Sequence, residues 1–228
     1  MTPKLILADL ISHLLAEMAR NPSVAPSFER RPTCREVWSS LLFCILSSQV
    51  RTSTAERAVA GVLGGVPFFE ENVSSTDVYA TVRKILVQSD IRYRFPEVRS
   101  RQIAQSWFAF AQVKECFYEY LDSFPTQRDA RFAVSASFPG LGLKQASMFL
   151  RDIGYADRLC VIDTHILWYY SRVCSPVKGV ITTKRYLEVE EDLLETSDAF
   201  GVTPNLFDSA VWAAVKTYKS RQCMMLFA

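Results

Sequence analysis

A lysine at position 144 and an aspartate at 163 are the two residues whose types and spacing could do chemistry together. Lys144 follows the run Phe138-Pro139-Gly140-Leu141-Gly142-Leu143, and Asp163 follows the apolar run Leu159-Cys160-Val161-Ile162. Pro139, Gly140 and Gly142 make a tight turn with little side-chain bulk, so its backbone can lie close to a ligand. From Lys144 onward, Ala146, Phe149, Leu150 and Ile153 recur at spacings of three and four. That spacing predicts an amphipathic helix, and Gly154 is its natural stop. Asp163 then sits at the N-cap position of a further helix carrying Ile166, Leu167, Tyr170 and Val173. A cation in a first helical turn faces the positive end of the dipole, an arrangement that helices ordinarily avoid. The same field disfavours the ammonium and favours a neutral amine, which is a nucleophile able to form a Schiff base. A carboxylate at a second helix start could stabilise a cationic sugar. Plainer uses exist for the same residues: a cap for Asp163, and an ordinary helix-helix turn for the two glycines.

These segments resemble the helix-hairpin-helix, Gly/Pro-rich loop and aspartate signature of the DNA glycosylase superfamily, which includes endonuclease III and the 8-oxoguanine glycosylases. Phe138 to Lys144 resembles the hairpin with its catalytic lysine, and Val161-Ile162-Asp163-Thr164-His165-Ile166 resembles the aspartate segment. Leu41 to Gln49 resembles the buried helix that ends in a DNA-probing glutamine. Tyr93 to Arg101 and Phe207 to Trp212 are similar to segments of the 8-oxoguanine glycosylase type 2 family, and the similarity spans roughly residues 40 to 215.

The resemblance implies a DNA glycosylase with associated AP lyase activity, acting on double-stranded DNA that contains a modified base, 8-oxoguanine first among them. The base must be flipped out of the stack, because C1′ is otherwise inaccessible. By the same resemblance, Lys144 would attack C1′ and Asp163 would stabilise the oxocarbenium-like state. The hairpin of Pro139, Gly140 and Gly142 would grip a phosphate through backbone dipoles, and its carbonyls would hold a monovalent cation. Gln49 would fill the gap left by the extruded nucleotide. His165 would reach a phosphate, or be a half-exposed helix residue. Phe95 and Trp212 would stack on the base, and Asp208 would meet its polar edge or cap the last helix. Core packing is the ordinary use of any one aromatic in a chain with fifteen Phe, nine Tyr and four Trp.

One segment departs from the pattern. Type 2 enzymes typically finish in a lysine that helps define the damaged-guanine pocket, whereas this sequence finishes Gln222-Cys223-Met224-Met225-Leu226-Phe227-Ala228. A remodelled pocket would suit another modified base, including hypermodified phage pyrimidines in a defence role. Helix-hairpin-helix modules that only bind DNA also exist, and the pairing of Lys144 with Asp163 argues against that class. A protein-interaction bundle would explain the apolar periods but not a lysine set against its dipole. Base release by a water that Asp163 activates, without lyase chemistry, is the nearest alternative mechanism.

Composition sets the remaining bounds. With 228 residues and 49% apolar content, the chain can bury a good core. A net charge of +2 does not announce a nucleic-acid binder. The charge is uneven, however: Arg83, Lys84, Arg92, Arg94, Arg99 and Arg101 crowd one stretch, opposed by Asp90 and Glu97, and Lys216, Lys219 and Arg221 lie near the end. Such clusters suit a phosphate track. The acidic stretch 188–198 is expected to point away from DNA. The cysteines at 34, 44, 116, 160, 174 and 223 form no C-x-x-C pair, so no four-cysteine iron-sulfur cluster is expected. With only His13 and His165, neither is a structural zinc. The apolar start Leu5 to Leu15, broken by Asp9 and His13, lacks the marks of a signal peptide, and no run approaches a membrane span. A cytoplasmic monomer, associated with the nucleoid if the source is prokaryotic, is the expectation.

Breaks at Asn21 to Pro32, Gly64 to Pro67, near Pro96, at Asp122 to Thr126, Ser175-Pro176 and Thr203-Pro204 separate helical periods without strand alternation. The predicted fold is therefore all-α. Residues 1–34 plus 163–228 would form one helical lobe and 35–162 the other, with the helix-hairpin-helix at about 132–154 and DNA in the cleft between them.

Overall fold

The computed structural model describes residues 3–20, 30–67, 69, 73–177, 179 and 181–226, with backbone only at 3 and 221–226. The described residues hold no strand, as the sequence predicts. Their helices are α1 (Pro3–Arg20), α2 (Cys34–Leu46), α3 (Thr52–Gly65), α4 (Ser75–Leu86), α5 (Pro96–Val113), α6 (Phe117–Asp122), α7 (Gln127–Ser137), α8 (Leu143–Asp152), α9 (Thr164–Val173), α10 (Thr183–Ala199) and α11 (Pro204–Leu226), with a 3-10 turn at Lys114–Cys116. Most of the expected loop from Asn21 to Pro32 lies outside the described residues, as do the side chains of the apolar C-terminal segment. Among the described residues, no helix is long and apolar enough to cross a membrane.

The chain forms two compact units, Arg30–Tyr155 and Met1–Glu29 with Ala156–Ala228. In the first, α2 packs on α3, α5 and α8. Its start is a capping box: Thr33 Oγ1 accepts the Glu36 amide, and Glu36 returns a carboxylate to the Thr33 amide at 2.7 Å. Arg30 grips the same carboxylate in two hydrogen bonds of 2.9 and 2.7 Å. Val37, Trp38, Leu41, Leu42, Ile45 and Leu46 are almost wholly inaccessible. At about 2 kcal/mol for each buried side chain against about 1 for a cap, packing dominates and the cap sets where the helix begins. Trp38, Phe110, Phe117 and Phe149 continue this core in a chain of ring contacts at 5.7, 5.3 and 5.9 Å. A charge lies inside it as well. Arg131 of α7 is fully buried and donates to Ser147 Oγ of α8 at 3.1 Å, tying together the two helices of the hairpin.

In the other unit, α1, α9 and α10 pack on α11, and α1 turns Leu7, Ile11 and Leu15 inward. An extended segment, Leu159 to Ile162, is buried among these helices. Three of its consecutive amides donate to side chains: Cys160 to Glu190 Oε1 at 3.2 Å, Val161 to Asp208 Oδ2 at 2.8 Å, and Ile162 to Tyr186 Oη at 3.4 Å.

These bonds move the expected boundaries. The chain divides at Ala156 and Arg30, not at 163 and 35. Cys160 to Ile162 are held by α10 and α11, whereas Arg30, Arg31 and Cys34 bond to Glu36, Asp122 and the Lys114 carbonyl. The acidic stretch 188–198 is also put to internal use. Glu190 is fully buried, Asp192 accepts the Tyr170 hydroxyl, and Asp198 takes Arg158 in two bonds. Acidic residues on three faces of α10 thus serve the fold.

The Glu36 carboxyl is lowered from 4.5 to about 2, first by the Arg30 hydrogen bond and then by the Thr33 amide. A depressed carboxyl contributes stability above its unfolded value and loses it as pH falls through the folded one. Glu36→Gln is expected to lower the urea midpoint at pH 7, and its gap from wild type should close between pH 4.5 and about 2. A gap that persists unchanged at pH 2 would contradict the assignment.

Candidate active site

Lys144 is the second residue of α8, and Gly142 is its N-cap with φ −83°, ψ 179° and no capping side chain. The amides of the first turn therefore carry no side chain of their own, which suits an incoming anion. The two glycines of the turn differ in kind. Gly140 has φ +100°, and a Cβ there would lie 2.9 Å from Gln102 Oε1 and 3.2 Å from Ile45 Cγ2. At Gly142 nothing lies within 4 Å of a Cβ position. Gly140 is thus demanded by the fold, while Gly142 leaves open space in front of the helix. Two serines brace the turn from behind: Ser106 Oγ donates to the Pro139 carbonyl at 3.4 Å, and Ser135 Oγ to the Leu141 carbonyl at 2.8 Å. At the far end, Gly154 has φ +71° and Tyr155 donates back to the Leu150 carbonyl at 2.9 Å, the Schellman closure expected of that glycine.

The Lys144 side chain is half-buried, with Nζ 3.9 Å from Met148 Sδ. Two turns along, partial burial pushes the Asp152 carboxyl up, while Arg151 at 3.7 Å and Lys144 act against that rise. Burial pushes the nearby Cys44 thiol well above its ordinary range, which keeps it protonated. Next to Lys144, Gln145 is buried and donates to the Cys44 carbonyl at 2.8 Å and to Ser47 Oγ at 3.1 Å. Tyr93 Oη donates to the Leu46 carbonyl at 2.6 Å. These two side chains satisfy carbonyls at the end of α2, and the Gln145 bond fixes that end against the start of α8.

Gln49 follows that end, exposed and with φ +62°, a left-handed backbone that costs a non-glycine residue about 1 kcal/mol or more. Phe95 is half-buried at the N-cap of α5, before Pro96, with the Arg94 guanidinium 4.9 Å from its ring. The expected basic track is partly consumed by the fold: Arg83 pairs with Glu97 at 2.6 Å, and Arg99 is buried against Gln102. Gln49, Phe95, Pro139, Gly140, Gly142 and Lys144 all belong to the Arg30–Tyr155 unit.

Asp163, His165, Asp208 and Trp212 belong to the other unit. Asp163 is the N-cap of α9: its Oδ1 accepts the amides of His165 and Ile166 at 2.8 and 3.0 Å. The cap uses one oxygen. The other, Oδ2, stands 3.5 Å from His165 Nδ1. A carboxylate held this way has a fixed orientation and one oxygen left for chemistry. Trp212 is 40% exposed, with the His165 ring 5.6 Å and Lys216 Nζ 4.7 Å from its own. Asp208 is buried and accepts the Val161 amide, so it holds the backbone leading to Asp163 and is not displayed to a base.

Sequence reasoning missed Gln145, Glu190, Tyr186 and Arg131, all of which position the residues above. No local pattern marks them, because each bonds to a segment at least 16 residues away.

The model of the 8-oxoguanine DNA glycosylase family, with its helix-hairpin-helix, matches residues 25–202. The chain belongs to this family. The matched stretch contains Gln49, Phe95, the hairpin, Lys144, Asp163 and His165, and stops short of Asp208 and Trp212. The 8-oxoguanine DNA glycosylase/AP lyase of Sulfolobus acidocaldarius is 29% identical over 174 residues, 76% of this chain and 79% of that protein. The crystal structure of the family member from Thermotoga maritima superposes with a TM-score of 0.66 at 23% identity, covering 92% of this chain and 97% of that one. The Methanocaldococcus jannaschii enzyme, crystallised with a 15mer DNA containing 8-oxoguanine, gives a TM-score of 0.61 at 21% identity over 90% of this chain and 88% of that one. At these identities the structural likeness speaks to the fold.

The contrast between the two glycines is testable in the free protein. Gly140→Ala is expected to lose about 1–3 kcal/mol of stability in urea unfolding, from the left-handed backbone and the clash with Gln102. Gly142→Ser should stay within about 0.5 kcal/mol of wild type, since serine is a good N-cap with open space before it. Equal losses at both positions would refute the distinction.

Proposed function

We propose that this chain is a DNA glycosylase with AP lyase activity, excising 8-oxoguanine from double-stranded DNA. The observation that carries the reading is an amine in the first turn of α8, directly behind a glycine turn with open amides, inside the stretch that matches the family. The named activity of the relatives supports the substrate. The Lys144 amine attacks C1′ of the flipped nucleotide, and the bond from C1′ to the base breaks as the base leaves with a proton. That proton comes from the attacking amine. The ring oxygen then takes a proton as the C1′–O4′ bond opens to give the protonated Schiff base. Removal of a C2′ proton breaks the 3′ C–O bond by β-elimination, the 3′ phosphate leaving. Asp163 Oδ2 stabilises the positive charge that develops on the sugar, while Oδ1 stays in the cap.

In the same reading the first-turn amides of α8 hold a phosphate, His165 contacts another, Gln49 fills the vacated stack, and Phe95 and Trp212 flank the base. Asp208 acts from behind, through Val161. A monovalent cation on the hairpin carbonyls belongs to the same reading, with the oxygens of Pro139 and Leu141, each of which accepts one serine hydroxyl, as the groups that would hold it. Such an ion would add positive charge beneath the phosphate. The enzyme works on this reading as a monomer, in the cytoplasm with the DNA.

Borohydride trapping and base release should be measured on duplexes that each carry one modified base. Wild type is expected to trap on the 8-oxoguanine duplex, and Lys144→Gln to lose both trapping and base release. Base release that survives in Lys144→Gln would assign the attack to water. Trapping only on another base would overturn the substrate. Asp163→Asn should fall by about 100-fold or more in rate with little change in stability, because asparagine caps as well as aspartate.

A further inference from the structure

The faces of α9 and α11 that meet in the Ala156–Ala228 unit carry an unusual stripe. On α9, His165, Trp168 and Arg172 stand at spacings of three and four. Trp212, Lys216 and Lys219 do the same on α11, at four and three. The two rows interlock. His165 lies 5.6 Å from Trp212, Trp168 lies 5.6 Å from Tyr218, Arg172 sits 3.9 Å from the Trp168 ring and Lys219 Nζ 5.0 Å from it, and Lys216 Nζ is 4.7 Å from Trp212. Among the described residues no carboxylate pairs with Arg172, Lys216 or Lys219; each is held on an indole face. Other cations of the same unit pair with carboxylates instead, as Arg158 does with Asp198 and Arg185 with Glu188.

Arg172 alone has a local explanation, since a cation in a last helical turn suits the negative end of the dipole. Lys216 and Lys219 lie in the interior of α11, where that field contributes nothing. An indole holds the ammonium in place without cancelling its charge, so the stripe presents three positioned, uncompensated positive charges. It begins beside Asp163 and His165. From Asp163 to Arg172 is nine residues of helix, about 14 Å, or about four nucleotide steps of one DNA strand.

We propose that Arg172, Lys216 and Lys219, ordered by Trp168 and Trp212, form a phosphate track that binds about three backbone phosphates on the strand running from the Asp163 end of α9. The track rests on the DNA glycosylase reading for its partner, and on its own geometry for its residues. It grips the backbone whatever the base sequence.

The test is equilibrium binding of a duplex carrying a non-cleavable abasic analogue, across 50 to 200 mM salt, with wild type and the variant Arg172→Gln/Lys216→Gln/Lys219→Gln. Loss of three phosphate contacts should reduce the slope of log affinity against log salt by about 2.7, so that over this range wild type loses about 40-fold more affinity than the variant. Hydroxyl-radical protection of a few adjacent nucleotides on one strand should vanish with it. Arg172→Lys/Lys216→Arg/Lys219→Arg should restore both, which loss of folding could not explain. An unchanged slope and footprint in the Gln variant, or no duplex binding by wild type, would overturn the track. A stripe-dependent slope in a protein that releases no base from any duplex would instead keep the track and refute the glycosylase assignment.

Discussion

An extended backbone buried among helices has no neighbouring strand to bond with, and that constraint governs the unit that carries Asp163. The amides of Cys160, Val161 and Ile162 find their acceptors in Glu190, Asp208 and Tyr186, and the Tyr186 hydroxyl also donates to the Cys160 carbonyl at 3.1 Å. An orphaned buried donor costs about 1–3 kcal/mol, so three together rival the net stability of a small domain. The acceptors come from α10 and α11, far along the chain. Asp163 is therefore placed by two helices that hold the backbone before it and by the start of α9, which takes one of its oxygens. The acids of α10 and α11 earn their burial through the position of another acid.

The Arg30–Tyr155 unit solves a related problem at helix ends. The carbonyls of Cys44 and Leu46 are left over where α2 stops, and Gln145 and Tyr93 reach across to donate to them. Because Gln145 adjoins Lys144, the bond that satisfies α2 also fixes the start of α8. In both units apolar packing supplies most of the stability, and a few polar side chains aimed at backbone atoms decide where Lys144 and Asp163 stand. Packing alone would tolerate a shift of an ångström that chemistry would not.

What could be read in the sequence was whatever depends on neighbours. The hairpin turn, the start of α8 after Gly142, the Gly154 stop and the Asp163 cap follow from steric and hydrogen-bonding rules acting over four or five residues, and the structure has each of them. The charge pattern was harder to read. Six acids in 188–198 look like a solvated face, yet Glu190 is fully buried, because an amide 30 residues earlier needs an acceptor. Arg99 looked like part of a basic track and is turned inward toward Gln102. Arg131 had no signal at all, since its partner Ser147 is brought near only when the hairpin closes. Asp208 was singled out for a base and serves a backbone amide instead. In each case the deciding partner lies on another element, beyond the reach of periodicity or capping rules.

The left-handed backbone at Gln49 carries one more implication. Glycine adopts that conformation without strain, so by stability alone glycine is the better residue there. A thermostability screen of this protein, scored only on unfolding, would be drawn to Gln49→Gly. It would thereby delete the exposed side chain that follows the end of α2, selecting a sturdier protein without the group proposed to fill the vacated stack.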